Sequence, residues 1–246
     1  MRDMTGFPGR IAQWPAPPWV QTWSSERGLD MGGQGERLDE LARTNRNILA
    51  RHLGVEVLWL DQVHGGAVSV EGRLCEADAL VTRRHHVACA VRTADCLPIL
   101  LCHEQMPVVA AVHAGWKGVV AGIIEKTVRQ MGGDPAHILA WMGPAIGPDA
   151  FEVGPEMRAL CLHDHPEAGQ AFRPGTGDRW WADLYVLARL RLAHAGVTHC
   201  YGGGACTVND PARFYSWRRE GERAGRMAHL IWMEGEPDEL RGIMAR

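Results

Sequence analysis

The sequence has no C-x-x-C pair and no even set of thiols. Its seven cysteines (Cys75, Cys89, Cys96, Cys102, Cys161, Cys200 and Cys206) are odd in number, which argues against both a disulfide framework and a zinc ribbon. Most are expected to be reduced and packed as small apolar residues. No uninterrupted apolar run approaches the ~20 residues needed to cross a bilayer. The Pro-rich start "MRDMTGFPGRIAQWPAPPWV" lacks an apolar core of signal-peptide length, so a soluble, cytoplasmic chain is expected. Charge of one sign is not in excess either. With a net charge of -3 there is no general electrostatic reason to expect nucleic acid or an anionic membrane surface, and a small molecule or a protein is the better partner. The interior contains no linker, repeat or low-complexity tract. One domain is therefore expected over 1–246, with residues 1–18 as a loosely held tail.

What is present suffices for a sizeable core: 246 residues, 46% of them hydrophobic. "GERLDELARTNRNILARHLG" carries Leu38, Leu41, Asn45, Ile48, Leu49 and Leu53 at spacings of three and four, ended by Gly54, and predicts an amphipathic helix. "VEVLWL", "AVSV", "HVACAVRT", "PILLC" and "PVVAAVH" predict strands. "KGVVAGIIEKTVRQMGG" predicts a single helix closed by a Gly pair. Later come a strand at "HILAWMG", helices at "PEMRALCL" and "ADLYVLARLRLAHAG", a strand at "THCYGG" and two closing strands near "RFYSWRR" and "RMAHLIWM". Several strand pairs are too close in sequence for helical crossovers, so the sheet must be partly antiparallel. The fold class is α/β (α+β), with helices covering mixed sheet.

Three apolar runs end in a potential ligand or nucleophile set among small turn residues: "WLDQVHGG" with His64, "AVRTADCLP" with Cys96 and "VVAAVHAGW" with His113. Should the three strand ends converge, two imidazoles and a thiolate suit zinc, and three protein ligands leave a fourth position open. The ordinary fate of such residues is packing or surface exposure, and their separations match no local ligand motif. A metal-free alternative makes Cys96 a nucleophile activated by His113 or His64. Asp95 then orients a histidine, acts as acid or base, or simply caps a turn. "FYSWRREGERAGR" places Arg218, Arg219, Arg223 and Arg226 near aromatics, which suits a phosphate or carboxylate; a solvated face paired with Glu220 and Glu222 is the commoner outcome. "GPAIGP" either lets backbone amides approach a ligand or marks a turn. His85, His86, His163 and His165 read as surface histidines, and Trp116 as a wall for a flat substrate.

Taken in order, "QVHG", "ADALVT", "TADCLPILL", "AAVHAGWKG", "GPAIGPDAFEVG" and "FYSWRREGERAGRMA" resemble the laccase-domain family, whose members carry the labels multicopper polyphenol oxidase, purine nucleoside phosphorylase and peptidoglycan editing factor. The resemblance runs from about Leu58 to Met233. It implies that His64, Cys96 and His113 form a metal-binding active site for zinc, with copper as the other candidate. It implies a mixed-sheet sandwich flanked by helices, similar to the catalytic domain of cytotoxic necrotizing factor. It also implies phosphorolysis of adenosine, inosine or methylthioadenosine and deamination of adenosine, with purine nucleoside and phosphate as partners. Within that reading Asp95 is the expected acid/base and Arg218 the expected substrate-binding residue. The other activities implied are copper-dependent polyphenol oxidation and amide hydrolysis in a muramoyl nucleotide; a non-catalytic metal-binding protein is the remaining alternative. "WSSERGLDMGGQGERLDE" departs from the family pattern: it is short, has Glu26 and Arg27 near the usual Arg position and lacks the family's "SLNLG" stretch.

Overall fold

A strand with every side chain buried needs cover on both faces. Five strands among the described residues are of that kind: Ala79–Thr82, Val87–Thr93, Leu97–His103, Val109–Ala114 and Met227–Met233 are buried at every position. The computed structural model, which describes residues 8–32 and 40–235, supplies the cover as two stacked sheets with helices outside both. In chain order the elements are β1 (Gly9–Arg10), β2 (Val20–Ser25), α1 (Glu40–Leu53), β3 (Glu56–Leu58), β4 (Val68–Val70), β5 (Ala79–Thr82), β6 (Val87–Thr93), β7 (Leu97–His103), β8 (Val109–Ala114), α2 (Trp116–Val120), α3 (Ile123–Met131), β9 (Ile138–Met142), β10 (Glu152–Val153), α4 (Pro155–Leu162), β11 (Phe172–Pro174), β12 (Trp180–Ala182), α5 (Leu184–His194), β13 (His199–Gly202), α6 (Trp217–Glu220) and β14 (Met227–Met233).

One sheet has the order β1-β2-β14-β6-β3 and the other β13-β9-β7-β8-β5-β4; β10, β12 and β11 form a small third sheet. Both large sheets are mixed: β7 and β8 pair antiparallel, whereas β3 with β6, β4 with β5 and β13 with β9 pair parallel. The period of two along each strand divides the core. From β7, Leu100 and Cys102 meet Cys89 and Val91 of β6 and Ile231 and Met233 of β14 between the sheets. Ile99 and Leu101 point the other way, onto Ile123, Ile124 and Val128 of α3 and Leu184, Leu187 and Leu192 of α5. Beyond the first sheet, Ala88, Ala90, Leu230 and Trp232 pack on Leu49 and Leu53 of α1. Each such aliphatic side chain contributes about 1.5–3 kcal/mol on burial.

The expected helix over 117–133 is in fact two, because Gly122 takes a left-handed φ of 76° and turns the chain between α2 and α3. The closing strand expected near "RFYSWRR" is not formed. Ser216 accepts a hydrogen bond from the Arg219 amide and starts α6 instead, a capping signal that overrides a short aromatic run. The strands β2 and β5 and the small third sheet were not anticipated. Of the expected tail, residues 1–7 lie outside the described residues, and Gly9 and Arg10 pair with Ser25 and Ser24. The first turn of the expected helix from residue 35, including Leu38, also lies outside them. No helix among the described residues is long and apolar enough to cross a membrane.

Candidate metal centre

The candidate residues reach one place by different routes. In the β7–β8 ladder Leu97 pairs with Ala114 and Pro98 with His113, so Cys96, one residue ahead of β7, lies opposite Gly115. A Cβ on Gly115 would stand 3.0 Å from the Cys96 sulfur and 3.4 Å from the His64 ring; glycine is what lets the two strand ends close on each other. His64 arrives from the other sheet, on the loop that leaves β3 and enters β4. Its backbone has a φ of 60°, one of four non-glycine residues at positive φ among those described, and Asp95 beside Cys96 is another at 89°. Strain of this kind persists only where surrounding bonds impose it.

Those bonds come from Asp78, directly before β5. Its fully buried carboxylate accepts the backbone N–H groups of Val63 at 3.3 Å, His64 at 2.9 Å and Gly65 at 2.7 Å. It also takes the ring of His113, Nδ1 to Oδ1 at 2.7 Å, while the His113 amide donates to the Asp78 carbonyl at 2.7 Å. One side chain thus fixes the loop of one histidine and the ring of the other. Burial works to raise the Asp78 carboxyl, but hydrogen bonds from His113, Gly65 and His64 hold it below the ordinary carboxylate value. It is therefore an anion facing Nδ1–H, which leaves Nε2 of His113 for the site. Sequence reasoning passed over Asp78 as part of "ADALVT", because only the fold shows that this carboxylate is buried, and a buried charge must be paired.

The ligand atoms of His64, Cys96 and His113 all lie within 4.8 Å of one another. The imidazole centroids are 4.7 Å apart, nearly perpendicular at 77°. Burial pushes the Cys96 thiol up, yet the charge of His113 and hydrogen bonds from His113 and His64 outweigh it and bring the value down to about 6. Burial likewise opposes protonation of His113, but the Cys96 charge and the Asp78 hydrogen bond lift it to about 9. Each group thus favours the charged form of the other: the imidazole draws the thiol down and the thiol lifts the imidazole. His113 is buried, Cys96 half-buried and His64 exposed, so the cluster opens on the His64 side.

It opens into a cavity of ≈ 620 Å³ whose walls are aromatic (Trp116, Phe151, Trp217), aliphatic (Ile146, Leu184) and cationic (Arg92, Lys117, Arg218, Arg226). Trp116 lies where a wall was expected. Asp95 also borders the cavity, but its carboxylate is occupied: Thr207 Oγ1 donates at 2.5 Å, Ser216 Oγ at 3.0 Å and the Arg218 amide at 2.6 Å, while its carbonyl accepts from Ile146 of "GPAIGP". It ties together the loops that carry Ile146, Trp217 and Arg218. The Arg218 guanidinium spans to the carbonyls of Ala150 at 3.2 Å and Glu152 at 3.3 Å. Arg219 is structural, bonding the carbonyls of Thr207, Val208 and Phe214. Gln62 and Arg92, also in the lining and not singled out in the sequence, exchange hydrogen bonds of 2.8 Å in both directions across 30 positions of chain.

The donor set fits a metal ion. Two nitrogens and a sulfur suit zinc or copper, and a carboxylate behind a histidine is the usual support that fixes a ligand's tautomer and orientation. A sequence model described as multi-copper polyphenol oxidoreductase laccase matches residues 23–234. A purine nucleoside phosphorylase of Pseudomonas aeruginosa is 43% identical over 234 residues, covering 90% of this chain and 96% of that protein. A purine nucleoside phosphorylase of Escherichia coli is 41% identical over 239 residues, covering 91% and 98%. Among solved structures, a Neisseria meningitidis protein superposes with a TM-score of 0.87 at 40% identity, covering 92% of this chain and 99% of that one. A Bacillus licheniformis protein, at 23% identity, superposes with a TM-score of 0.84, covering 94% and 98%.

Proposed function

The chain belongs to the multi-copper polyphenol oxidoreductase laccase family, and from that premise we propose that it is a metal-dependent purine nucleoside phosphorylase acting on adenosine, inosine and methylthioadenosine. The observation that carries this reading is the His64–Cys96–His113 cluster at the floor of a cavity that is aromatic and cationic at once. A purine base needs flat apolar walls, which Trp116, Phe151 and Trp217 offer. A phosphate co-substrate needs cations, which Lys117, Arg218 and Arg226 offer. The names of the Pseudomonas aeruginosa and Escherichia coli relatives support the same reading.

In this reaction a phosphate oxygen bonds to the ribose C1′, the C1′–N9 bond breaks, and the purine leaves with the bond's electron pair and takes up a proton. His64, Cys96 and His113 hold the ion, zinc in our assignment. A bound zinc supplies Lewis-acid polarisation and a water ionisable near pH ~7. The chain does the rest. Asp78 keeps Nδ1–H of His113 turned away from the site. Asp95, with its carboxylate taken by three donors, acts as a positioning residue for Trp217 and Arg218 rather than as an acid or base. Arg218, pinned to two carbonyls, presents its charge at the cavity edge. Hydrolytic deamination of adenosine, in which water adds at C6 and ammonia leaves, is assigned to the same cavity.

Incubating metal-replete protein with inosine and phosphate should yield hypoxanthine and ribose 1-phosphate in equal amounts, and Cys96→Ala should abolish both. Absence of hypoxanthine from the wild type, or turnover unchanged in Cys96→Ala, sinks the proposal. Oxygen consumption with phenols in place of phosphorolysis would transfer the site to copper oxidation, the other chemistry that a His₂Cys donor set accepts.

A further inference from the structure

Outside the cavity, the described residues hold one more group of metal-ligating side chains: His165, Glu167 and His194. His165 precedes the 3-10 turn Pro166–Ala171, Glu167 lies in its first residues, and His194 is the last residue of α5. Their ligand atoms all fall within 4.8 Å of one another. The two imidazoles meet edge to face, with centroids 4.9 Å apart and planes at 86°. Glu167 Oε1 sits 3.2 Å from His165 Nδ1.

The grouping is imposed from below. Ala168 and Ala171 of the turn are buried in the same core as Leu184, Leu187 and Leu192 of α5, so the two backbones are held in place by apolar packing. The side chains of His165 and His194 are brought together without an ion having to order the segments, and binding to a prearranged set costs less entropy. The field there favours a cation. The last turn of a helix carries partial negative charge. The Glu167 carboxylate stands within the same group. His165 is half-buried while Glu167 and His194 are exposed, so an ion reaches them from solvent, and none of the three lines the ≈ 620 Å³ cavity.

We propose that His165, Glu167 and His194 form a second divalent-cation site, of zinc-type preference, that clips the 166–171 turn to the end of α5. Two nitrogens and one carboxylate oxygen are a borderline donor set of the sort zinc accepts. The site is structural rather than catalytic, since two of its three ligands are exposed and none lines the cavity, and it stands whatever reaction the cavity performs.

Calorimetric titration of chelator-treated, full-length protein with zinc chloride tests it. Wild type should bind two ions. Cys96→Ala should lose the first and keep the second; His194→Ala should do the reverse; Glu167→Gln, which removes the one anionic ligand, should weaken the second by at least the ~10–100-fold seen for losing a metal's supporting partner. Glu167 and His194 are exposed, so both variants are expected to fold, which melts without metal verify. Imidazole proton resonances that vanish in His194→Ala should shift when zinc is added to Cys96→Ala. Equal stoichiometry in wild type and His194→Ala, or an absence of zinc binding and of ring-proton shifts in Cys96→Ala, overturns the proposal.

Discussion

Among the described residues, two places gather three potential metal ligands within the same 4.8 Å, and they differ in nearly everything else. At the cavity floor, donors from two sheets are locked by a buried carboxylate, and the surroundings alter their chemistry: a thiol drawn down to about 6 beside an imidazole lifted to about 9. At the end of α5, the donors are held by the packing of the backbones beneath them and face water. Proximity alone brings donors together, whereas burial beside a charge-bearing support also shifts their protonation.

Removing the thiol should break the first region most severely. Cys96→Ala, which removes one of three metal ligands, is expected to abolish phosphorolysis, a larger loss than the ~10–100-fold of removing a metal's supporting partner, measured by hypoxanthine release. Next comes the support that the surface cluster lacks. Asp78→Asn keeps the shape but removes the charge facing His113, and should reduce metal affinity or turnover by about 10–100-fold; unchanged zinc affinity and turnover would erase the distinction drawn here. Gly115→Ala tests closeness without changing any donor. Its methyl would press on the Cys96 sulfur at 3.0 Å, at a cost of about 1–3 kcal/mol as in other overpacked sites, read as weakened zinc binding with the ligands intact.

A buried histidine outside both clusters extends the comparison to pH. His229 lies between Thr93 Oγ1 at 2.9 Å and Ser24 Oγ at 3.0 Å, and burial, aided by the charge of His113, pushes it down to about 3. Its unfolded-state value is about 6.5, so between those limits the unfolded chain binds a proton that the folded chain refuses. The stability from keeping this ring neutral is complete above about pH 6.5 and is lost as pH falls toward 3, by up to about 1.4 kcal/mol per unit. His229→Gln should flatten that acid limb in denaturant melts; an unaltered slope would assign the acid sensitivity to other groups. The smallest effect belongs to the surface: without metal, His194→Ala removes one exposed ring contact and should move stability by no more than about 0.5 kcal/mol, in melts of chelator-treated protein.

Much of the fold was legible because apolar runs report burial directly. β6, β7, β8, β9 and β14 lie where the sequence predicts strands, and α4 and α5 where it predicts helices. β2 was missed because "VQTWSS" alternates weakly and four of its six residues are polar; it is a strand because β14 pairs with it. The residues 213–219 were misread because an aromatic run outweighed a serine cap that acts through a single hydrogen bond. Of the candidate site, His64, Cys96 and His113 stood out as polar residues closing apolar runs, while Asp78 did not, since nothing local distinguishes a carboxylate that will be buried from one that will be solvated. Asp95 and Arg218 border the cavity, but the bonds that occupy them come from residues 112 to 123 positions away or from carbonyls of another loop.

By itself, the sequence determined which strands are buried on both faces and which donor types stand at their ends, because hydrophobic periodicity and side-chain chemistry are local properties. Only the tertiary structure decided that His64, leaving one sheet, meets Cys96 and His113 on the other, that Asp78 holds both histidines, and that His165 faces His194. Such meetings depend on how layers stack and loops cross between them, and the energy that fixes them is spread over many apolar contacts distant in sequence.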